Sequence, residues 1–557
     1  MQRGHRPAKK RQRPEEAAEK SETNGSNISS PSEYPPQVLY ETRITNGVPS
    51  PVSIVDNGMG LSRERLRELY YYYFHDAHPI MIPRAFFPRL SANAIPPVVD
   101  AILDYVGSQY DVKAKKDPKY LSNLQMCLYA QDARQDAYTV QALTLLGIVY
   151  RAQDQNDPAC SAFASAIDLA LRLGMHRADF AQLHDGGDPV IGEMWRRVWW
   201  ELYVNELLLA AFRHETFSNV SNIEGMDVEM PWEEINYRNC TVSNLYKPRC
   251  PPQLTFAQPT PSRSLQDYDQ YTFFDDDENA FSSFAYRVIA ARQIGRLLAL
   301  NQPFCPESNE IVNSIDIALN NWMLHLPEQK QTPLGKDGKM DEMMFQAHMM
   351  ANAASICLHR PRSDLVFTDV QDSNNCLESR SFGVPATKFS VHTVKCTTAA
   401  DKIAELITYP GDSLQHTPLF TCMLTLSAVV HLSAYVLAHD MNARASIRER
   451  LALSVGSLKV IKGQWILAGS VLQQIKGAAR QAMTMGGSTM GIDRPTSGSS
   501  DRAYSTDSNI SDQWVVTNHD PLFVRIPELL PTSEIMPLSA MPDPATMQKL
   551  VPSAQYA

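Results

Sequence analysis

From Leu61 to about residue 482, apolar residues recur at helical spacing, and the strict alternation expected of a half-buried strand is nearly absent. That pattern commits the chain to an all-α fold, a large helical domain built from antiparallel helical hairpins. Residues 137–151 (AYTVQALTLLGIVYR) read as one helix and 159–173 as the next. Asp154 to Pro158 interrupts the periodicity between them, and Pro158 suits a helix's first turn, where its missing N–H has no partner to lose. Gly174 suits the position just past a helix end, where a left-handed residue closes the last turn. The strongest segment is 193–212 (EMWRRVWWELYVNELLLAAF). Trp195, Trp199, Leu202 and Leu209 share one face, and Trp200, Tyr203 and Leu207 widen it, so this helix is expected between buried neighbours. Further helices are expected at 281–301, 309–325, 341–359, 389–408, 418–439 and 445–482.

Three stretches fall outside this pattern. Residues 1–60 read as a basic, disordered N-terminal tail, because their Pro, Ser, Asn and Gly content cannot bury enough apolar surface to offset chain entropy. Residues 240–278 form a proline-rich insert too long for an ordinary connection. Residues 483–557 read as a mostly disordered C-terminal tail around a short apolar patch, Leu522 to Leu530. The helical domain is thus expected over 61–482.

Charge bears on partners. The net charge is −10, so contact with nucleic acid requires a local basic patch. Lys9, Lys10, Arg11 and Arg13, with Arg3 and Arg6, put six basic residues and no acidic one in the first 13. Such a run is a solvated tail, a nuclear localisation signal or a phosphate-contacting arm. It supplies salt-sensitive affinity but no base specificity. The acidic run Asp275–Glu278, interleaved with Tyr268, Tyr271, Phe273 and Phe274, reads as a solvated loop or as an acidic-aromatic activation segment.

Catalytic signatures are missing. No GxGxxG or Walker loop occurs. Gly486-Gly487-Ser488-Thr489-Met490 lacks the closing glycine of a nucleophile elbow, and His214-Glu215 is followed by Ser218 where a zincin needs histidine. The nine cysteines include no CxxC pair and begin only at Cys127. No catalytic residue, cofactor or metal ligand is therefore expected. His348 and His359 read as one core histidine and one cation favoured by a helix end. Residues 420–439 carry no Asp, Glu, Lys or Arg and have the length of a membrane span. The polar Thr421, Thr425, Ser427, His431 and Ser433 within them favour a buried core helix, so no membrane partner is expected.

Several segments, in order, carry a family resemblance. They are Leu69-Tyr70 through Phe74-His75 to His78-Pro79-Ile80, then Ala170 to Arg177 (ALRLGMHR), then Glu193 to Trp200 (EMWRRVWW). Trp322 with Leu326-Pro327, His359-Arg360-Pro361, Cys396 with Ala399 and Ala400, Pro418-Leu419-Phe420, and Trp465 with Ala468 follow. This succession over about residues 65–482 resembles the middle homology region of fungal-specific transcription factors, the regulatory half of Zn2Cys6 zinc-cluster proteins. The resemblance implies a nuclear, non-enzymatic regulator of transcription, most readily of a biosynthetic (secondary-metabolite) gene cluster. Nutrient-utilisation genes, or a helical module that modulates a zinc-cluster partner or senses a ligand, are the alternatives. Implied partners are DNA, directly or through a zinc-cluster protein, the transcription machinery, a small-molecule effector, and a second subunit, like or unlike. Trp195, Arg197, Trp199, Trp200, Trp322, His359, Arg360 and Pro361 are implied to be structural, with Arg196 and Arg197 pairing at the helix surface. Two departures stand out. Glu206 occupies the family's aspartate position and Phe212-Arg213-His214 its Gly-Arg-Pro turn. The zinc cluster itself is not found in the 557 residues, so zinc is implied only if a further exon encodes it.

Overall fold

The computed structural model describes residues 62–91, 95–239, 263–270, 281–301, 308–335, 338–365, 391–438 and 440–488. The basic run, the acidic run Asp275–Glu278, most of the 240–278 insert and the apolar patch at 522–530 lie outside them. Among the described residues there is no strand, only two isolated bridges, Glu229 with Ser264 and Leu334 with Met340. The long helices are α1 (Arg63–Tyr73), α2 (Pro97–Ser108), α3 (Lys119–Tyr129), α4 (Ala137–Ala152), α5 (Asn156–Leu173), α6 (Pro189–Phe212) and α7 (Ser283–Leu297). They continue with α8 (Ser308–Leu324), α9 (Glu342–His359), α10 (Val391–Leu406), α11 (Phe420–Leu437), α12 (Met441–Ile461) and α13 (Ile466–Ser488).

Local chemistry sets many of these boundaries. Ser62, Asp136, Asp188, Ser282, Asp341 and Asp440 each accept a backbone N–H of the helix they precede, satisfying a donor that the helix cannot. Pro189 opens α6 at a position where it forfeits no hydrogen bond. Gly174 ends α5 at φ +80°, as its place in the sequence led us to expect. The reversal between α4 and α5 passes through Asp154 at φ +61°.

Packing follows sequence order. α4 lies against α5, and α6 touches α4, α5 and α7. From α7 the contacts run to α9, α10, α11 and then to α12 and α13, and α13 returns to α4. α1 crosses α2 so tightly that a Cβ on Gly107 would sit 2.1 Å from the Leu66 carbonyl oxygen. α6 is buried almost all round, with Trp199, Trp200 and Val204 at 0% exposure.

Two expectations need correcting. Residues 445–482 form two helices, not one, broken at 462–465. Gly463 weakens the helix there, and the break lets Trp465 turn into the core at 1% exposure. The segment 281–301 is helical only to Leu297 and then tightens into a 3-10 turn, Leu298–Asn301. Among the described residues α11 alone has the length and apolar content to cross a membrane, and most of it is buried in the domain. Its polar groups bond internally: Ser427 Oγ donates to the Ala400 carbonyl (2.9 Å), and His431 Nε2 meets Asp401 Oδ1 (3.0 Å).

Candidate functional site

The chain leaving α1 does something a loop seldom does. Residues 74–83 run through the interior as irregular backbone, with His78, Ile80, Met81 and Ile82 at 0% exposure. Buried backbone polar groups without helix or sheet partners must be satisfied some other way. Here side chains from five different segments supply the donors. Gln346 Nε2 of α9 donates to the Ala77 carbonyl (2.9 Å), and Arg197 Nη1 of α6 to that of Pro79 (3.4 Å). Gln141 Nε2 of α4 reaches the Ile80 carbonyl (2.6 Å). Tyr237 Oη, from the short helix Glu234–Asn239, reaches Met81 (3.1 Å), and Tyr71 Oη of α1 reaches Ile82 (2.7 Å).

α6 supplies the charges at the centre of this arrangement. Glu193, Arg197 and Glu201 follow one another at intervals of four, which places them on one helix face. Glu193 accepts from Arg196 Nε (3.0 Å), Arg197 Nε (2.8 Å) and the Trp232 backbone N–H (2.8 Å). Arg197 donates to the Trp232 carbonyl (3.0 Å), pairs with Glu234, and stacks 4.0 Å from the Tyr237 ring centroid. Glu201 takes a bidentate pair from Arg287 of α7 (2.7 and 3.0 Å), plus one bond each from His78 Nδ1 (2.7 Å) and Asn205 Nδ2 (2.7 Å). The side chains of Glu193, Arg197 and Glu201 are fully buried, and Arg287 is 1% exposed.

The electrostatics follow from this packing. Burial pushes the Glu201 carboxyl upward, but Arg287 and the His78 hydrogen bond outweigh burial and hold it at about 2. Glu234 is likewise lifted by burial and brought down to about 2 chiefly by Arg197 and Arg238. His75 is driven down to about 3 by burial, so it is neutral in the fold. A carboxylate this acidic, sealed from solvent and saturated with donors, has no proton to give near neutral pH. The cluster clamps α6, α7, α9 and the threaded segment together. Among the described residues no group of His, Cys, Asp and Glu is arranged to hold a metal.

The residues singled out from sequence fall into three places. Trp195, Arg197, Trp199 and Trp200 share α6. Trp195 Nε1 donates to the His184 carbonyl (3.1 Å) and Trp200 Nε1 to that of Glu229 (2.8 Å), whereas the buried Trp199 Nε1 has no partner. Trp322 of α8 packs edge-on against His348 of α9 (5.4 Å). His359 is the last residue of α9, and Arg360 and Pro361 open the 3-10 turn that follows it. Lys9, Lys10, Arg11 and Arg13 lie outside the described residues. Arg197 does not pair at the surface as expected, because the Glu193, Glu234 and Pro79 acceptors lie inward of the helix. Nor is His359 a cation at a helix end. It is 2% exposed, and burial lowers it to about 4. Its Nε2 meets Asp316 Oδ1 (3.1 Å), so its Nδ1 is the acceptor for His392 Nδ1 (2.9 Å). At the Phe212-Arg213-His214 turn the left-handed position falls on His214 (φ +53°), while Phe212 stays helical. Sequence alone does not single out Gln141, Glu201, Arg287 and Gln346, and it gives His78 only as part of a family motif. Their one sequence signal is a charge or amide set in an otherwise apolar helical run.

These protonation states predict acid lability. His75 and His359 sit below the ordinary histidine value of 6.5, so their contribution is complete above that pH and is lost as pH falls towards their folded values. Glu201 and Glu234, held below 4.5, add a second loss as pH drops from there towards 2. His416 works oppositely. Burial lowers it, but Glu342 (2.7 Å) outweighs burial and raises it, so its contribution is present below 6.5 and fades as pH rises. The urea midpoint is therefore expected to fall progressively below pH 6.5. A midpoint that rises towards pH 4 would contradict the assigned histidine states.

Comparison with known proteins gives the site its context. Residues 68–322 match the fungal specific transcription factor domain, a span that begins just before the threaded segment and ends at Trp322. The chain is 32% identical over 419 residues to the C6 finger domain transcription factor iacK of Pestalotiopsis fici. That alignment covers 75% of this chain and 59% of the relative, so the chain spans about three fifths of the length of the curated relative it matches. No solved structure matches it. The α6 motif, the threaded segment and the Arg287 clamp all fall inside the matched region, so the chain carries a fungal specific transcription factor domain over residues 68–322.

Proposed function

We propose that the chain is a nuclear regulator of transcription that works through this helical domain rather than as an enzyme. The observation that carries the reading is the family match across 68–322, within which Glu193, Arg197, Glu201 and Arg287 form a buried clamp of ion pairs. Its targets, on this reading, are the genes of a fungal biosynthetic pathway, consistent with how regulators of this kind are commonly placed. Sequence choice on DNA comes from a zinc-cluster module, in a partner or encoded alongside. The basic run at Lys9–Arg13 serves nuclear import.

Deleting the gene and profiling transcripts tests this. A co-regulated set of pathway genes should change several-fold and recover on complementation. Unchanged transcripts under conditions in which the protein is made would overturn the proposal.

A further inference from the structure

From residue 450 on, the last two helices carry positive charge and no acid, in a chain that is acidic as a whole. Residues 450–492 contain Arg450, Lys459, Lys462, Lys476 and Arg480 and no Asp or Glu. Arg450 is satisfied by Asp401 (3.1 Å). Among the described residues the other four have no carboxylate partner. Lys459, Lys462 and Arg480 are exposed, and Lys476 is half-buried.

Lys459 and Lys462 lie three apart at the end of α12, Lys476 and Arg480 lie four apart on α13, and the two helices pack against each other. Lys459 and Lys462 end α12, where the helix dipole favours positive charge. The dipole does not account for Lys476 and Arg480, which lie one turn apart in the middle of α13. Burial, then Lys462, Lys459 and Arg480, depress the Lys476 ammonium, so the groups are close enough to repel. Asp154, the carboxylate that meets α13 from the end of α4, is bound to Ser470 Oγ (2.6 Å). Asp111 is occupied by the Lys113 and Ala114 backbone N–H groups, and Asp117 by Lys119 (2.8 Å). The turn between α12 and α13 is fixed in place: Gln464 Nε2 donates to the Gln109 carbonyl (2.6 Å), and Lys115 bonds the Gln464 carbonyl.

We propose that this α12–α13 face is a phosphate-contacting surface by which the helical domain lies against duplex DNA without reading its sequence. The choice of DNA rests on the transcriptional role proposed above, and the chemistry rests on four cations without a carboxylate partner among the described residues, carried on a packed helical pair. In a chain of net charge −10, such a face is the electrostatic footprint of a polyanion site. Contacts of this kind position a protein on the duplex and leave base choice to another module.

The test uses the full chain and a short labelled duplex of unrelated sequence, followed by anisotropy over a salt series. Each phosphate contact contributes about −0.9 to the slope of log affinity against log salt, so four contacts predict about a hundred-fold weakening between about 50 and 200 mM salt. The variant Lys459→Gln/Lys462→Gln/Lys476→Gln/Arg480→Gln should flatten that slope by about three units or more while keeping the parent's urea midpoint. A second variant, Lys9→Gln/Lys10→Gln/Arg11→Gln/Arg13→Gln, measures the tail's share. Duplex binding that the first variant leaves intact, or that the tail variant alone abolishes, overturns the proposal. So does preference for phosphatidylserine-rich vesicles over the duplex. If duplex binding fails but gene deletion still shifts transcripts, only this inference falls. If binding holds and transcripts do not respond, the regulatory role falls instead.

Discussion

A chain carrying Glu201→Leu is expected to lose about 3–5 kcal/mol of stability, because the change strands a buried guanidinium. Glu201 accepts both arms of Arg287, with His78 and Asn205 completing its shell, and the side chains of Glu201, His78 and Arg287 are buried. A loss of that size is a large share of the about 5–15 kcal/mol that holds a typical protein folded. The partner change Arg287→Met, made alone, should cost comparably by leaving a buried carboxylate with less than its charge balance. The double variant Glu201→Leu/Arg287→Met removes both charges and should recover much of the loss, since well-packed apolar groups often substitute for a buried pair at little net cost. Urea unfolding of the four proteins gives the coupling directly. Losses that simply add in the double variant would show that the two side chains act independently.

The second large effect belongs to Trp199. Trp199→Ala should cost about 3–5 kcal/mol by leaving a cavity in the interior of α6's packing. The contrast with its neighbour is more diagnostic. The Trp199 indole N–H has no acceptor, whereas Trp200 donates to the Glu229 carbonyl at 2.8 Å. Trp199→Phe therefore loses only packing, while Trp200→Phe loses packing and abandons a carbonyl, a further cost of about 1–3 kcal/mol. Thermal or urea midpoints should rank Trp199→Phe above Trp200→Phe. The reverse order would mean that the two indoles have been assigned each other's roles.

Much of this fold is written locally. The α4–α5 hairpin, Gly174 as its terminus and α6 as a helix buried between neighbours follow from periodicity and backbone preference over a few residues. The caps at Ser62, Asp136 and Asp188 are equally local. What local pattern cannot carry is partnership across the chain. Glu201 and Arg287 are 86 positions apart, and Gln346 reaches the Ala77 carbonyl across 269. Nothing near residues 74–83 announces a buried loop, because its burial comes from donors supplied elsewhere. The same gap explains Arg197. A helix pattern shows an arginine beside a tryptophan, but only the packed structure shows that Pro79, Trp232 and Glu234 wait on the inner side. The break at 462–465 was missed for a different reason. A lone glycine is a weak signal inside a periodic run, and here the burial of Trp465 decides.

The central claim is that this clamped helical domain is the part of the chain that acts on transcription. It is tested most directly by fusing the full chain to an unrelated DNA-binding module and measuring a reporter in cells. The fusion should change reporter output in one direction, Glu201→Leu should abolish the change, and Glu201→Leu/Arg287→Met should restore it. An output that the fusion leaves unchanged, or that Glu201→Leu does not affect although the domain unfolds, would contradict the claim.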